Sequence, residues 1–364
     1  MNKYLLVVLF GTVVIVNTFI CVLVIAAAKG GTGTLTSYVE PKKSEVAVSV
    51  NNDKTDKQVL KETVTISFVG DCTLGSFRGS DNQFGKYYIN NGAGYFFSNV
   101  HHVFAADDIT FINLEGALTA HPQEVDKEYS IRGEPWYVNI LKSSSVELCN
   151  LANNHIMDCG QQGLADTVSL LGQNGINYCG VQNASAINKN GIIVCFLGYN
   201  GWENSEPLRS QIAGDIKLCR EKYKADIVCV EFHWGVEREY YPTMPQKELG
   251  HFAVDSGADC VVGSHPHVIQ GIEKYHGKVI AYSLGNFCFG ANNNPVDKDS
   301  FILQQTFKRD GTVVRTEVVP CRISSRTDIN DFRPTVLSGN EGFSVVNRLK
   351  VYSQPFAGTI DVLR

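Results

Sequence analysis

Nine histidines stand in the 364-residue chain, and two of them, His265 and His267, flank a single proline directly after a short apolar run. In extended backbone, residues i and i+2 point to one side, so both imidazoles are expected to face one spot. Packing seldom asks for that arrangement, whereas a metal ion does. Four further stretches carry donors of the same kind: Asp71 in FVGD, Glu115 in NLEG, Asn154 with His155 in LANNH, and His233 in FHWG. Carboxylate, amide and imidazole without thiolate suit Mn, Fe, Zn or Mg rather than a structural zinc site built of cysteines. A carboxylate such as Glu115 can bridge two cations roughly 3.5–4 Å apart, a pair that lowers the pKa of a bound water and clamps phosphoryl oxygens.

Taken singly, each residue has a plainer reading. Asp71 can cap a turn, Glu115 can be a solvated loop carboxylate, Asn154 can close an Asx-turn, His155 can be a satisfied loop histidine, and His233 can pack beside Trp234. Their shared position argues otherwise, because each stands where an apolar, β-rich run gives way to a loop. Such runs include ETVTISFVGD, DITFINLEG, SVELCNLANNH, GIIVCFLGY, ADIVCVEFHWG and ADCVVGSHPH. Between them lie amphipathic stretches read as helices: near 96–106, 161–175, 207–223 and 245–257. That alternation specifies α/β construction, and in α/β sheets sites collect outside the carboxyl ends of the strands. Past residue 277 the runs GKVIAYSLGNF, SFILQQTFKRDGTVVRTEVVPCRI and the tail read as successive strands, with Arg309-Asp310-Gly311 as a hairpin turn. The other histidines, His101, His102, His121, His251 and His276, lack such partners in the sequence and read as structural or solvated.

Composition is that of a globular protein, 44% hydrophobic and 19% charged, with a net charge of −5. No block of Lys and Arg tracks a phosphate backbone, so nucleic acid is not the expected partner. The first residues differ: Tyr4 to Ala28 carry no charge, between Lys3 and Lys29. As a helix this run would be about 37 Å long, enough to cross a hydrocarbon core of about 30 Å. A cleaved signal peptide competes, since Ala26-Ala27-Ala28 resembles a cleavage site, but the run exceeds the roughly 7–15 residues of an h-region. Residues 1–29 are therefore expected to be a membrane anchor, and the polar residues 30–61 a flexible linker. The folded body would be 62–325, with 326–364 a C-terminal extension packing on it. The expected location is the cell membrane, single-pass, with the body outside the cytoplasm. The eleven cysteines are odd in number and show no CxxC pair; Cys195, Cys229 and Cys260 sit inside apolar strands and read as buried free thiols.

The ordered set FVGD, NLEG, NLANNH, FHWG, GSHPH and AYSLGNF resembles the capsule-synthesis CapA/PgsA family, associated with poly-γ-glutamate production. That family is similar in turn to the calcineurin-like metallophosphoesterases. The resemblance spans roughly Val64 to Arg322. It implies a four-layered α/β/β/α metallophosphatase-like sandwich, preceded here by the single transmembrane helix, with one or two divalent metal ions at a sheet edge. Asp71 and His267 would hold the first metal, Glu115 would bridge, and Asn154, His233 and His265 would hold the second. His155 would donate a proton to the leaving oxygen. Metallophosphoesterases usually carry a histidine two residues past the first aspartate, and here that position is Thr73.

Two functions follow from these residues. One is a metal-dependent hydrolase or transferase acting on a phosphoester or an amide of an anionic polymer such as poly-γ-glutamate. The other is a non-catalytic scaffold or export subunit of a polyglutamate synthase complex. Arg132 and Trp136 in RGEPW are the candidate substrate-binding pair, through a bidentate guanidinium and a stacking ring. No GxSxG elbow is present, and Cys72 beside Asp71 has no base assigned to it.

Overall fold

A computed structural model describes residues 61–356, Glu124 excepted. The expected anchor at 1–29 and the linker up to residue 60 lie outside the described residues. Among the described residues, no helix is long and apolar enough to cross a membrane.

Two sheets carry the fold. The central strand of the first, Thr63–Thr73, alternates so that Ile66 and Phe68 face one side while Val69 and Cys72 belong to the other. It lies parallel to Ile109–Leu114, which lies parallel to Leu148–Asn150, and that strand to Asn177–Cys179. On its other flank the sheet continues antiparallel through Asp299–Lys308, Val313–Arg322 and Thr335–Val336. The second sheet has Ile192–Gly201, Ile227–Trp234, Cys260–Ser264 and Lys278–Ala281 in parallel, with Ser185–Lys189 and Ile272–Tyr275 antiparallel at its edges. A separate three-stranded sheet is made of Ser76–Phe77, Ile131–Gly133 and Ala117–Leu118.

Three cores explain the layering. Phe68, Phe111, Phe196, Val262 and Phe301 fill the space between the sheets. Cys72, Ile112 and Leu114, on the first sheet's other face, pack with Phe84, Phe96 and Leu171 of the helical segments over it. Val228, Val230 and Phe232 pack likewise with Ile212 and Ile216 of helix Glu206–Glu221 and Leu249 of helix Met244–Asp255. Helices, sheet, sheet and helices thus stack in that order, as one buried face per helix and two per sheet require.

Several expected elements differ in detail. The helix expected near 96–106 is a run of turns followed by a single short helix, His101–Phe104, although Phe96, Phe97, Val100 and Phe104 are all buried. The strand expected over 145–155 pairs only at Leu148–Asn150, because the Asn150 side chain takes the Ala152 N–H and turns the chain. GKVIAYSLGNF is not one strand: Lys278–Ala281 belongs to the second sheet and Asn286–Phe289 to the first. The chain crosses between sheets at Gly285, whose φ is 73°. The tail is not all strand either. Helix Gly339–Ser353 buries Gly342, Val345, Leu349 and Ser353 at three- and four-residue spacing, the period of a helix face, and Val345 and Leu349 enter the core between the sheets. Cys195 is not a free thiol; it is bridged to Cys219, which faces inward on helix Glu206–Glu221 next to Ile212 and Ile216. Eight other described cysteines, Cys229 and Cys260 among them, are buried and take part in no disulfide.

Candidate metal centre

The parallel registers align polar residues into two rows. In the first sheet Asn286 stands opposite Asp71, Asp71 opposite Asn113, and Asn113 opposite Asn150. In the second, Asn200 stands opposite His233 and His233 opposite Ser264. The rows meet where Asn113 Nδ2 lies 3.2 Å from His233 Nδ1. One glycine lets the Asp71 strand approach the crossing at Gly285: a Cβ on Gly70 would lie 1.8 Å from the Gly285 carbonyl oxygen. With none there, the Asp71 N–H donates to that carbonyl at 3.0 Å.

Around these rows the structure gathers the six expected ligands. The carboxylate of Asp71 accepts from Asn113 at 2.8 Å and from the His265 backbone N–H at 3.2 Å, and its Oδ2 lies 3.2 Å from His267 Nδ1. Glu115 is fully buried. Thr73 Oγ1 donates to its Oε2 at 2.9 Å, while Oε1 has no hydrogen-bond partner and lies 3.7 Å from His233 Nε2. Asn154 Oδ1 lies 2.9 Å from the same Nε2. His265 is buried, with Nδ1 unpartnered and its ring 4.8 Å from that of His233. Donor atoms of Glu115, His233 and His265 lie within 4.8 Å of one another, and so do those of Asp71, Glu115 and His267. Glu115 belongs to both groups.

His265 and His267 converge by a different route from the one their spacing suggests. Neither is extended: their φ values are 95° and 57°. Positive φ is rare outside glycine and asparagine; two such residues flanking Pro266 cost of order 1–3 kcal/mol each, the kind of strain that collects at functional sites.

The electrostatics follow from burial and from the carboxylates. Burial opposes charge on His267, but Glu115 and Asp71 outweigh it and raise the imidazole to about 10. Burial would lift Asp71, yet the His267 hydrogen bond and charge hold it down at about 2. Glu115 is raised, by burial first and then by the Asp71 charge. Burial drives His233 well below its ordinary value, and burial together with the His267 charge takes His265 to about 4. Behind His233, Ser264 Oγ donates to the buried Glu231 at 3.0 Å and lies 3.2 Å from His233 Nδ1. Nδ1 faces the Asn113 amide, a donor, and Nε2 faces Asn154 Oδ1, an acceptor, so the neutral ring carries its proton on Nε2 and donates it to Asn154. Burial lifts Glu231 itself to about 8.

His155 sits beside the ligands, Nε2 4.0 Å from Glu115 Oε1. Its Nδ1 donates to Asp158 at 2.8 Å, and Asp158 is held by Lys127 at 2.6 Å and by the Ile131 N–H at 2.7 Å. Asp158, Asn113, Thr73, Glu231 and Ser264 were not named from sequence as partners. The HIMD stretch carried the signal for Asp158, and register with Asp71 carried it for Asn113.

A cavity of about 450 Å³ opens beside the cluster, lined by Glu115, His155, His267 and, further out, Tyr129, Arg238 and Tyr240. Arg132 and Trp136 do not line it. The Arg132 guanidinium is taken up by the Thr119 carbonyl at 2.8 Å and by Glu134 at 2.7 Å, and Trp136 is half exposed against Tyr137. The cavity's arginine is Arg238, which the sequence reading did not single out.

Residues 65–291 match the family model described as bacterial capsule synthesis protein PGA_cap. This chain belongs to that family. The PGA biosynthesis protein CapA of Bacillus subtilis (strain 168) is 32% identical over 291 residues, 74% of this chain and 74% of that protein. The capsule biosynthesis protein CapA of Bacillus anthracis is 30% identical over 288 residues, 72% of this chain and 68% of that one. Among solved structures, TT1561 of Thermus thermophilus aligns over 68% of this chain and 99% of its own with a TM-score of 0.41 and 9% identity. The six ligand-type residues and His155 all lie inside the PGA_cap match.

Proposed function

We propose that this PGA_cap protein is a membrane-anchored, metal-dependent hydrolase or transferase acting on poly-γ-glutamate during capsule assembly, outside the cytoplasm. One observation carries the metal. Glu115 Oε1 and His265 Nδ1 are buried polar atoms without partners, and both residues belong to one group of converging donors. Each such atom costs about 1–3 kcal/mol if left unpaired, and a cation relieves both. Asp71, Glu115 and His267 would hold one ion; Glu115, Asn154, His233 and His265 would hold another. Divalent cations there would lower the pKa of a bound water and neutralise charge developing on a carbonyl or phosphoryl oxygen.

The chain's own groups supply the rest. Asp158 accepts the Nδ1 proton of His155, so Nε2 is the nitrogen that would take up a proton and pass it to a leaving amine or alkoxide. Arg238 takes no hydrogen bond or ion pair through its guanidinium among the described residues and lines the same cavity, which suits the carboxylates of a polyglutamate chain. The uncharged run Tyr4 to Ala28 supports the anchor, and the names of the CapA relatives support the pathway.

One observation favours the scaffold reading: Thr73 occupies the place of a usual ligand and bonds to Glu115 instead. The two readings separate on the purified full chain, given Mn2+ and γ-linked glutamate oligomers or a generic phosphodiester. The enzymatic reading expects metal-dependent cleavage that falls about 10²- to 10⁴-fold in His155→Ala with metal content unchanged. Metal-loaded protein that cleaves neither substrate, with capsule still formed by a Glu115→Ala/His233→Ala strain, would leave the scaffold.

A further inference from the structure

Beyond the six ligand-type residues, a further carboxylate reaches the cluster. A carboxylate oxygen of Glu237 and one ring nitrogen each of His265 and His267 lie within 4.8 Å of one another. Glu237 is exposed and lines the cavity, whereas Glu115 is buried. The two acids therefore meet the same histidines from the solvent side and the protein side.

The chain is built to bring Glu237 there. Strand Ile227–Trp234 ends at Gly235, whose φ is 83° and whose missing Cβ would lie 2.6 Å from Gln246 Oε1. The positive φ would strain any side chain there, and a Cβ would have to displace the Gln246 amide, so glycine suits the sharp turn just past His233. The turn is then pinned on the far side of Glu237. The Arg238 N–H donates to the Pro266 carbonyl at 2.8 Å, and Gln270 Nε2 donates to the Glu239 carbonyl at 2.7 Å. Pro266 is the residue between the two histidines, so Glu237 and the His-Pro-His turn are held as one unit. The Glu237 carboxylate itself takes no hydrogen bond or ion pair among the described residues, and His265 Nδ1, buried, has none either.

Two facts give this acid a task. Asp71, Glu115 and His267 make three ligands for the first ion, and Thr73 adds none. An acid open to solvent on one side can also be displaced by an incoming carboxylate, which a buried acid cannot. We propose that Glu237 is a solvent-side metal ligand of this centre, joined to it through His265 and His267. This rests on the metal centre proposed above and goes beyond it in assigning a seventh residue.

The test is Mn2+ binding to the full chain by titration calorimetry and elemental analysis, with the Co2+ absorption spectrum as a second readout. Glu237→Gln keeps size and removes the ligand charge; Glu239→Gln, an exposed acid two residues on, removes the same net charge without touching the cluster. Glu237→Gln is expected to weaken one Mn2+ equivalent about 10- to 100-fold and to change the Co2+ bands, while Glu239→Gln matches wild type in both. The melting temperature of metal-free Glu237→Gln should equal that of wild type, which separates ligand loss from misfolding. Equal affinities and spectra for the two variants would overturn the assignment while leaving the centre intact. Wild-type protein that binds no Mn2+ would overturn both.

Discussion

Replacing Glu115 by Gln should move stability in opposite directions with and without metal. In the metal-free chain Glu115 is a buried carboxylate beside Asp71, with Oε2 held by Thr73 and Oε1 unpartnered 3.7 Å from His233 Nε2. Glutamine keeps the Thr73 bond and removes the charge beside Asp71, at the cost of its attraction to His267. Relief of one unsatisfied buried group is worth about 1–3 kcal/mol, so metal-free Glu115→Gln should be the more stable protein. Metal reverses the order. At a free Mn2+ concentration 100 times Kd, a native-state site adds about 2.7 kcal/mol, roughly 5 °C in melting temperature for a domain of this size. The variant has lost the donor common to both ligand groups and should gain little. Thermal melts of both proteins in EDTA and in a Mn2+ series give all four values. Equal Mn2+ shifts in the two proteins, or a metal-free variant less stable than wild type by several kcal/mol, would refute the assignment of Glu115 as a strained, cation-directed acid.

Other expectations follow from single residues. Burial, aided by the neighbouring charges of Glu147 and Asp108, lifts Asp107 to about 7 against hydrogen bonds from Ser67 and Thr110. Its folded form therefore binds a proton more tightly than the unfolded chain, so its contribution is full below about pH 4 and is lost as pH rises through about 7. Asp107→Asn should flatten the stability profile over that window in urea melts; an unchanged slope would contradict the burial argument. Phe111 packs between the sheets against Phe68 and Phe196, with ring centroids 5.9 and 5.2 Å away, so Phe111→Ala should cost about 3–5 kcal/mol in urea unfolding. Arg238→Gln should weaken binding of γ-glutamate oligomers about 10-fold or more with Mn2+ content unchanged; equal affinity would remove Arg238 from substrate binding.

Much of the site was legible because its residues end apolar strands. Asp71, Glu115, Asn154, His233, His265 and His267 each follow a β-rich run, and parallel strands put their carboxyl ends on one edge. What escaped was geometry that only tertiary contacts decide. His265 and His267 converge through positive φ rather than through extended backbone, and nothing in HPH specifies that. Arg132 looked like an anion binder from its neighbours, but Glu134 two residues on occupies it, and Arg238 reaches the cavity through a turn set by Gly235. The strand Asn286–Phe289 changes sheets because Gly285 permits a crossing that the apolar run before it conceals. The helix at Gly339–Ser353 was missed although 342, 345, 349 and 353 spell a helical face, because its β-branched residues read as strand. Cys195 read as a filler thiol because its partner, Cys219, lies on the following helix rather than at a recognisable spacing.

The most direct test of the account is a crystal structure of the full chain with Mn2+, read by its anomalous scattering. The account predicts two peaks about 3.5–4 Å apart with Glu115 reaching both, Asp71 and His267 on one, and Asn154, His233 and His265 on the other. A map with no peak among these side chains, under Mn2+ concentrations that saturate other two-metal proteins, would contradict it.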